Sequence, residues 1–291
     1  MKSQWWITVG IALVLSLPAA LTAAPRFVET ESGVNIRVLE AGPRTASLTL
    51  VLIPGWRFTA DIWAEQITAF SDRYRVIAID PRSQGDSTKT LDGNTPETRA
   101  EDMHAVLSQL DAGPVVLVGW SQGAQDVGAY VSKFGVPAVR GIVFVDAAPS
   151  AGWDKAVAAP GAAQQLRHLS LYARYPEEAT EGMMRAVFRT PKPKAEFDQL
   201  VRDALKTPPS IGAAMLEDDL FGPDRVTPLS RVDVPVLLVL ADQSANASDL
   251  AALTKTLPHA YSVTILGAGH AVFTDKPQEF DSVLFKYLTA L

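Results

Sequence analysis

Residues 115–124 read Val115-Val116-Leu117-Val118-Gly119-Trp120-Ser121-Gln122-Gly123-Ala124, and a stretch of helical character continues from Ala124 to Phe134. A short apolar run followed at once by a helix places Ser121 on a sharp strand-to-helix turn. Such a turn takes strained backbone angles, and glycines two positions to either side leave room for the close packing it needs. The serine hydroxyl is then exposed at the end of a sheet. The Gln122 N–H falls at the N-terminus of the following helix, where it can donate to a developing oxyanion.

Working outward, the pattern of the turn repeats. Phe27–Glu31 and Val34–Glu40 flank Ser32-Gly33 and predict an antiparallel hairpin. Leu48–Ile53, Arg75–Ile79, Val115–Val118, Ile142–Val145, Val234–Leu240 and Tyr261–Leu266 are apolar runs that predict strands. Between them, Asp61–Phe70, Glu97–Leu110, Asp249–Leu257 and Pro277–Leu288 carry helical spacing. Strands alternating with helices predict a mostly parallel eight-stranded sheet with helices on both faces. The alternation breaks over residues 149–232, where Ala162–Ala173, Glu178–Phe188 and Glu196–Leu205 read as helices separated by prolines. This segment is expected to be a helical lid at the carboxyl end of the sheet, dividing the core into residues 25–148 and 233–291. A packing appendage without a gating role is the alternative.

The N-terminus has a different character. Lys2, an apolar stretch from Trp5 to Leu17, and a small-residue tail ending Ala23-Ala24-Pro25 have the order of a secretory signal over residues 1–24. Cleavage is expected near Ala24, giving a periplasmic or secreted protein with no stable membrane span. An uncleaved anchor is the alternative, disfavoured by the short apolar stretch. The chain has no cysteine, which excludes disulfides and a lipidated cysteine. Its 291 residues, 47% hydrophobic, can supply a sizeable core. A net charge of -6 with no basic run argues against nucleic acid as a partner. His104, His168, His259 and His270 are scattered, without the close spacing of metal ligands. Neither metal nor cofactor is expected.

Four segments taken together resemble the α/β-hydrolase family over nearly the whole mature chain. They are Pro54-Gly55-Trp56, Asp80-Pro81-Arg82-Ser83-Gln84-Gly85-Asp86-Ser87, the turn at Ser121, and Gly269-His270 before the last helix. Within that family, residues 119–135 are similar to the cofactor-free haloperoxidase and perhydrolase branch. The resemblance implies the α/β-hydrolase fold and a second oxyanion donor, the Trp56 N–H. Pro54 stands where the family usually has histidine, but a backbone donor survives that change. The branch that dehalogenates haloalkanes needs an aspartate where Ser121 stands.

A serine hydroxyl needs a base, and His270, after Gly267 and Gly269 at the end of the last strand, can carry an imidazole over the mouth of the sheet. The acid that orients it has two candidates. Asp146 ends the strand after the turn, a position some branches of the family use. Asp242 follows the strand after which the family commonly places its acid, although direct register puts Ser244 there. Strand register is stiffer than loop length, which favours Asp146. Asp80 and Arg82 are expected to form a structural pair fixing the loop to Ser87. Trp56, Trp120 and Trp153 are candidate apolar walls for the substrate, with packing the commoner role for any one of them. These residues predict a serine hydrolase of a small or medium ester or lactone. The alternatives are a perhydrolase, in which peroxide takes the acyl group, and a ligand-binding homologue that turns over little.

Overall fold

A computed structural model describes residues 24–158 and 162–291. The leader expected over residues 1–24 falls outside this range except for Ala24, which begins the first strand. The strands are β1 (Ala24–Glu31), β2 (Val34–Ala41), β3 (Thr49–Ile53), β4 (Arg75–Ile79), β5 (Val115–Trp120), β6 (Val139–Val145), β7 (Val236–Ala241) and β8 (Ala260–Ile265). They form one sheet in the order β1-β2-β4-β3-β5-β6-β7-β8. β2 runs antiparallel to β1 and to β4, and the rest pair in parallel.

The central strands are continuous apolar runs because both faces are covered. Leu50, Leu52, Val116, Val118, Val143 and Val145 join one cluster; Val51, Ile53, Leu117, Ile142 and Phe144 join the other. The first face carries α1 (Ala64–Phe70), α11 (Val272–Asp275) and α12 (Pro277–Thr289). The second carries α2 (Pro96–Gln109), α3 (Gln122–Phe134) and α10 (Ala247–Thr256). Residues expected as one helix from Asp61 are split, a 3-10 turn over Ala60–Trp63 leading into α1. At the start of α2 the Thr95 side chain accepts from the Thr98 amide at 3.2 Å, a cap of the kind that contributes about 1 kcal/mol.

Between β6 and β7 the described chain holds α4 (Trp153–Ala158), α5 (Ala162–Arg174), α6 (Pro176–Val187), α7 (Lys194–Leu205), α8 (Pro209–Phe221) and α9 (Val226–Leu229), with no named strand. No helix among the described residues is long and apolar enough to cross a membrane.

The strand order locates the crevice. From β3 the chain moves to β4 on one side, and from β5 to β6 on the other, so direction reverses between β3 and β5. Ligands in open parallel sheets bind outside the carboxyl ends at such a reversal. The residues there are Pro54-Gly55-Trp56 after β3 and Ser121 after β5.

Candidate active site

Ser121 has φ 55° and ψ -119°, a backbone conformation rarely adopted by side chains with a Cβ. The turn is packed too tightly for larger neighbours. A Cβ on Gly119 would lie 2.4 Å from the Gly123 carbonyl oxygen, and one on Gly123 would lie 2.5 Å from that of Ile53. Gly55 is pressed against the serine, since a Cβ there would come within 2.9 Å of Ser121 Cβ. The loop after β3 and the turn after β5 are therefore in contact. Among the described residues the Trp56 and Gln122 amides find no backbone acceptor. Both are free to donate at the expected oxyanion position.

The two acid candidates are separated by geometry. Asp146 Oδ2 lies 2.8 Å from His270 Nδ1, and Asp146 is 2% exposed. Its other oxygen accepts from the Ala241 amide at 2.9 Å, while its own carbonyl accepts from Asn246 Nδ2 at 2.7 Å. Asp146 also has a positive φ of 49°, an outlier held in place by these bonds. Asp242, one residue beyond β7, is exposed and makes no hydrogen bond or ion pair among the described residues. Its neighbour Ala241 serves Asp146 instead. Ser244 is half-buried and accepts from the Asn246 amide at 3.0 Å.

With Nδ1 facing a carboxylate, the neutral imidazole of His270 carries its proton there and leaves Nε2 as an acceptor. No hydrogen bond joins Ser121 Oγ to His270 among the described residues. Such contacts are commonly loose before substrate arrives and tighten in the reacting complex. The histidine is steadied from below: Trp120 Nε1 donates to the His270 carbonyl at 2.9 Å, and the two rings are 5.5 Å apart. A cavity of about 350 Å³ opens beside Asp146 and His270, lined in part by Phe188, Arg189, Gln243 and Asn246.

Trp120 is fully buried between Phe58, Phe273 and His270, so it supports the histidine and offers no surface to a substrate. Trp153 is 56% exposed and packs its ring 5.2 Å from Phe221 of α8. The expected Asp80–Arg82 pair is also corrected. Asp80 accepts from the Ala60 and Asp86 amides and from Arg37, and its carbonyl holds the Ser87 hydroxyl at 2.7 Å. Arg82 instead forms a bidentate pair with Asp102 at 2.7 and 2.8 Å. Two buried charges close in sequence found separate partners because their strand-end geometry points them to different elements.

Several supporting residues were not anticipated. Gln122 donates to Asp219 on α8 and accepts from Gln84 at 3.1 Å. Asp219 is in turn held by Arg99 at 2.8 Å, and Arg99 also reaches Asp126 at 2.8 Å. Burial pushes Asp126 up to about 7 and raises Asp219, Arg99 opposing in both cases. Asp275 accepts from the Gly269, Arg189 and Thr190 amides at 2.8, 2.8 and 3.0 Å, tying the His270 loop to the segment after α6. Asp219 follows Glu217 and Asp218 with nothing local to single it out, and its partners lie far away in sequence.

Comparison with known proteins agrees with this architecture. The profile of the alpha/beta hydrolase family matches residues 50–283. A bifunctional esterase/perhydrolase of Acinetobacter calcoaceticus is 34% identical over 124 residues, 42% of this chain and 45% of that protein. A non-heme chloroperoxidase of Kitasatospora aureofaciens is 38% identical over 101 residues, 34% of this chain and 37% of that protein. The chain thus spans less than half the length of these curated relatives. The crystal structure of a bromoperoxidase from Bacillus anthracis superposes with a TM-score of 0.81 at 20% identity, covering 91% of this chain and 100% of that one. That likeness shows the fold.

Proposed function

The chain belongs to the alpha/beta hydrolase family, and within it we propose a serine hydrolase that cleaves a small or medium ester or lactone through an acyl-enzyme. The observation that carries this reading is the 2.8 Å bond from His270 Nδ1 to Asp146, together with a serine held at φ 55°. Ser121 Oγ attacks the carbonyl carbon while His270 Nε2 takes its proton. Asp146 keeps the imidazole in the required tautomer and stabilises the imidazolium that forms. The Trp56 and Gln122 amides receive the oxyanion; a single donor of this kind is commonly worth about 10²–10³ in kcat. His270 then returns the proton to the leaving oxygen, and water, deprotonated by the same imidazole, releases the acid.

The test is pre-steady-state hydrolysis of a chromogenic short-chain ester. A burst of alcohol followed by slower turnover is expected, and Ser121→Ala should abolish both. Unchanged turnover in that variant would sink the reading.

Perhydrolysis is the second reading, supported by the esterase/perhydrolase and haloperoxidase relatives. Hydrogen peroxide would replace water in deacylation, giving a peracid that oxidises halide away from the protein. Peracid formation from acetate and hydrogen peroxide distinguishes it from hydrolysis alone. Export is a further proposal, resting on residues 1–24 alone. N-terminal sequencing of the mature protein would be expected to begin near Pro25.

A further inference from the structure

Arg57 follows the oxyanion residue Trp56 and is wholly buried. The other buried arginines all have carboxylates. Arg37 pairs with Asp61 and Asp80, Arg75 with Glu40, Arg82 with Asp102, Arg99 with Asp126 and Asp219, and Arg225 with Glu97. Arg57 has none among the described residues. Its guanidinium carbon lies 4.0 Å from the Trp56 ring centre and 4.3 Å from that of Tyr172. One terminal nitrogen donates to Thr180 Oγ1 at 2.6 Å, and the other lies 3.8 Å from Met183 Sδ. Aromatic faces attract a cation but accept no directed hydrogen bond in the guanidinium plane.

Two polar groups remain unsatisfied at this place. Arg57 Nε and the Tyr172 hydroxyl are buried without a hydrogen-bond partner. Gly212 leaves them room, since a Cβ there would come 2.4 Å from the Tyr172 oxygen and 3.2 Å from Arg57 Cδ. Its carbonyl accepts from Trp56 Nε1 at 2.9 Å, so the same glycine touches the oxyanion loop and the unsatisfied pair. The backbone is also committed: Arg57 takes φ 62° in a turn closed by the Phe58 amide on the Gly55 carbonyl at 3.0 Å. Desolvation pushes the guanidinium down to about 10, the Tyr172 hydroxyl opposing. A buried charge lacking an anion, beside a buried phenol with no acceptor for its proton, is an environment that favours an anion.

We propose that Arg57 and Tyr172 form a subsite for a carboxylate carried by the substrate, one residue from the oxyanion donor. The carboxylate accepts from Arg57 Nε and a terminal N–H, and the Tyr172 phenol donates to it. Arg57 and Tyr172 are closed off from solvent, so the Tyr172 ring must shift to admit the group while its hydroxyl stays within reach of it. The preferred esters are then half-esters of dicarboxylic acids. This inference rests on the serine hydrolase reading above.

The test compares kcat/KM for monoethyl glutarate and ethyl 5-methylhexanoate, whose branched end has the shape of the carboxylate without its charge. The wild type should favour the charged ester by about tenfold or more, and Arg57→Gln should bring the ratio close to one. Arg57→Lys should retain part of the preference. A wild-type ratio near one, or a ratio unchanged in Arg57→Gln, overturns the proposal. If Arg57→Gln does not fold, as judged by near-ultraviolet circular dichroism, Tyr172→Phe replaces it. The ratio should then fall severalfold, and no change overturns the subsite. If neither ester shows Ser121-dependent turnover, the hydrolase reading has failed and binding decides. Glutarate should raise the melting temperature of the wild type but not of Tyr172→Phe, and no rise in the wild type overturns the subsite independently of catalysis.

Discussion

Asp146 Oδ2 and His270 Nδ1 stand 2.8 Å apart, although 124 residues separate them. The carboxylate is gripped by β7 through the Ala241 amide and its backbone carbonyl by the Asn246 side chain, so the histidine is oriented against a fixed partner. Asp242, exposed beyond the strand, has no comparable hold.

Asp146→Asn should therefore lower kcat by about 10³–10⁴ with little change in KM, because the amide favours the wrong tautomer. Asp242→Asn should stay within about twofold, as expected for an exposed residue away from the chemistry. Steady-state kinetics on one chromogenic ester measures both. The opposite ranking would reassign the acid.

Asp275 holds three amides with one carboxylate, including that of Gly269 beside His270. Its removal in Asp275→Ala frees the His270 loop. A displacement of about 1 Å at a catalytic group can cost about 10²-fold, so kcat should fall by about ten- to a hundredfold. Near-native circular dichroism together with reduced kcat is the expected combination.

Asp219 connects α8 to Gln122 and to Arg99. Asp219→Ala leaves the Gln122 side-chain amide without its acceptor and Arg99 with Asp126 and the Asn94 carbonyl. Breaking a buried pair in this way costs about 3–5 kcal/mol, read as a lower midpoint in chemical denaturation. A loss below about 0.5 kcal/mol would show that the network is dispensable.

The pH dependence of stability follows from the buried carboxyls. Burial pushes Asp126 up to about 7 and Asp281 up to about 6, with Arg99 and Gln66 respectively opposing. Both hold protons in the folded chain that they lose when unfolded, above about pH 4. Between about pH 4 and pH 7 the folded state binds more protons, and stability falls as pH rises through that window. Asp61, Asp86 and Asp224, held below their usual range, act with the opposite sign at lower pH. Asp126→Asn keeps an acceptor for Arg99 and removes one titration. The difference in melting temperature between about pH 5 and about pH 7 should shrink, as thermal scans can show.

The sheet was legible because β3 to β7 are short apolar runs, and such runs form when both faces of a strand are covered. Ser121 and His270 were legible because glycines mark the tight backbone on which each sits. The helices between β6 and β7 were harder to read. α8 is hard to read because Pro208 and Pro209 look like breaks, whereas proline in the first turn of a helix costs no hydrogen bond. Pro176 likewise starts α6. Arg57, Asp219 and Asp275 carried no local pattern. Their roles depend on partners more than 80 residues away, such as Thr180, Gln122 and Arg189, that only the folded chain brings near.

The proposed chemistry turns on Ser121 as a nucleophile activated by His270. Labelling with a fluorophosphonate, followed by peptide mapping, tests it most directly. One adduct is expected, on the peptide that contains Ser121, formed far more slowly in His270→Ala. An adduct on another residue, or a folded protein that takes up no label, would contradict it.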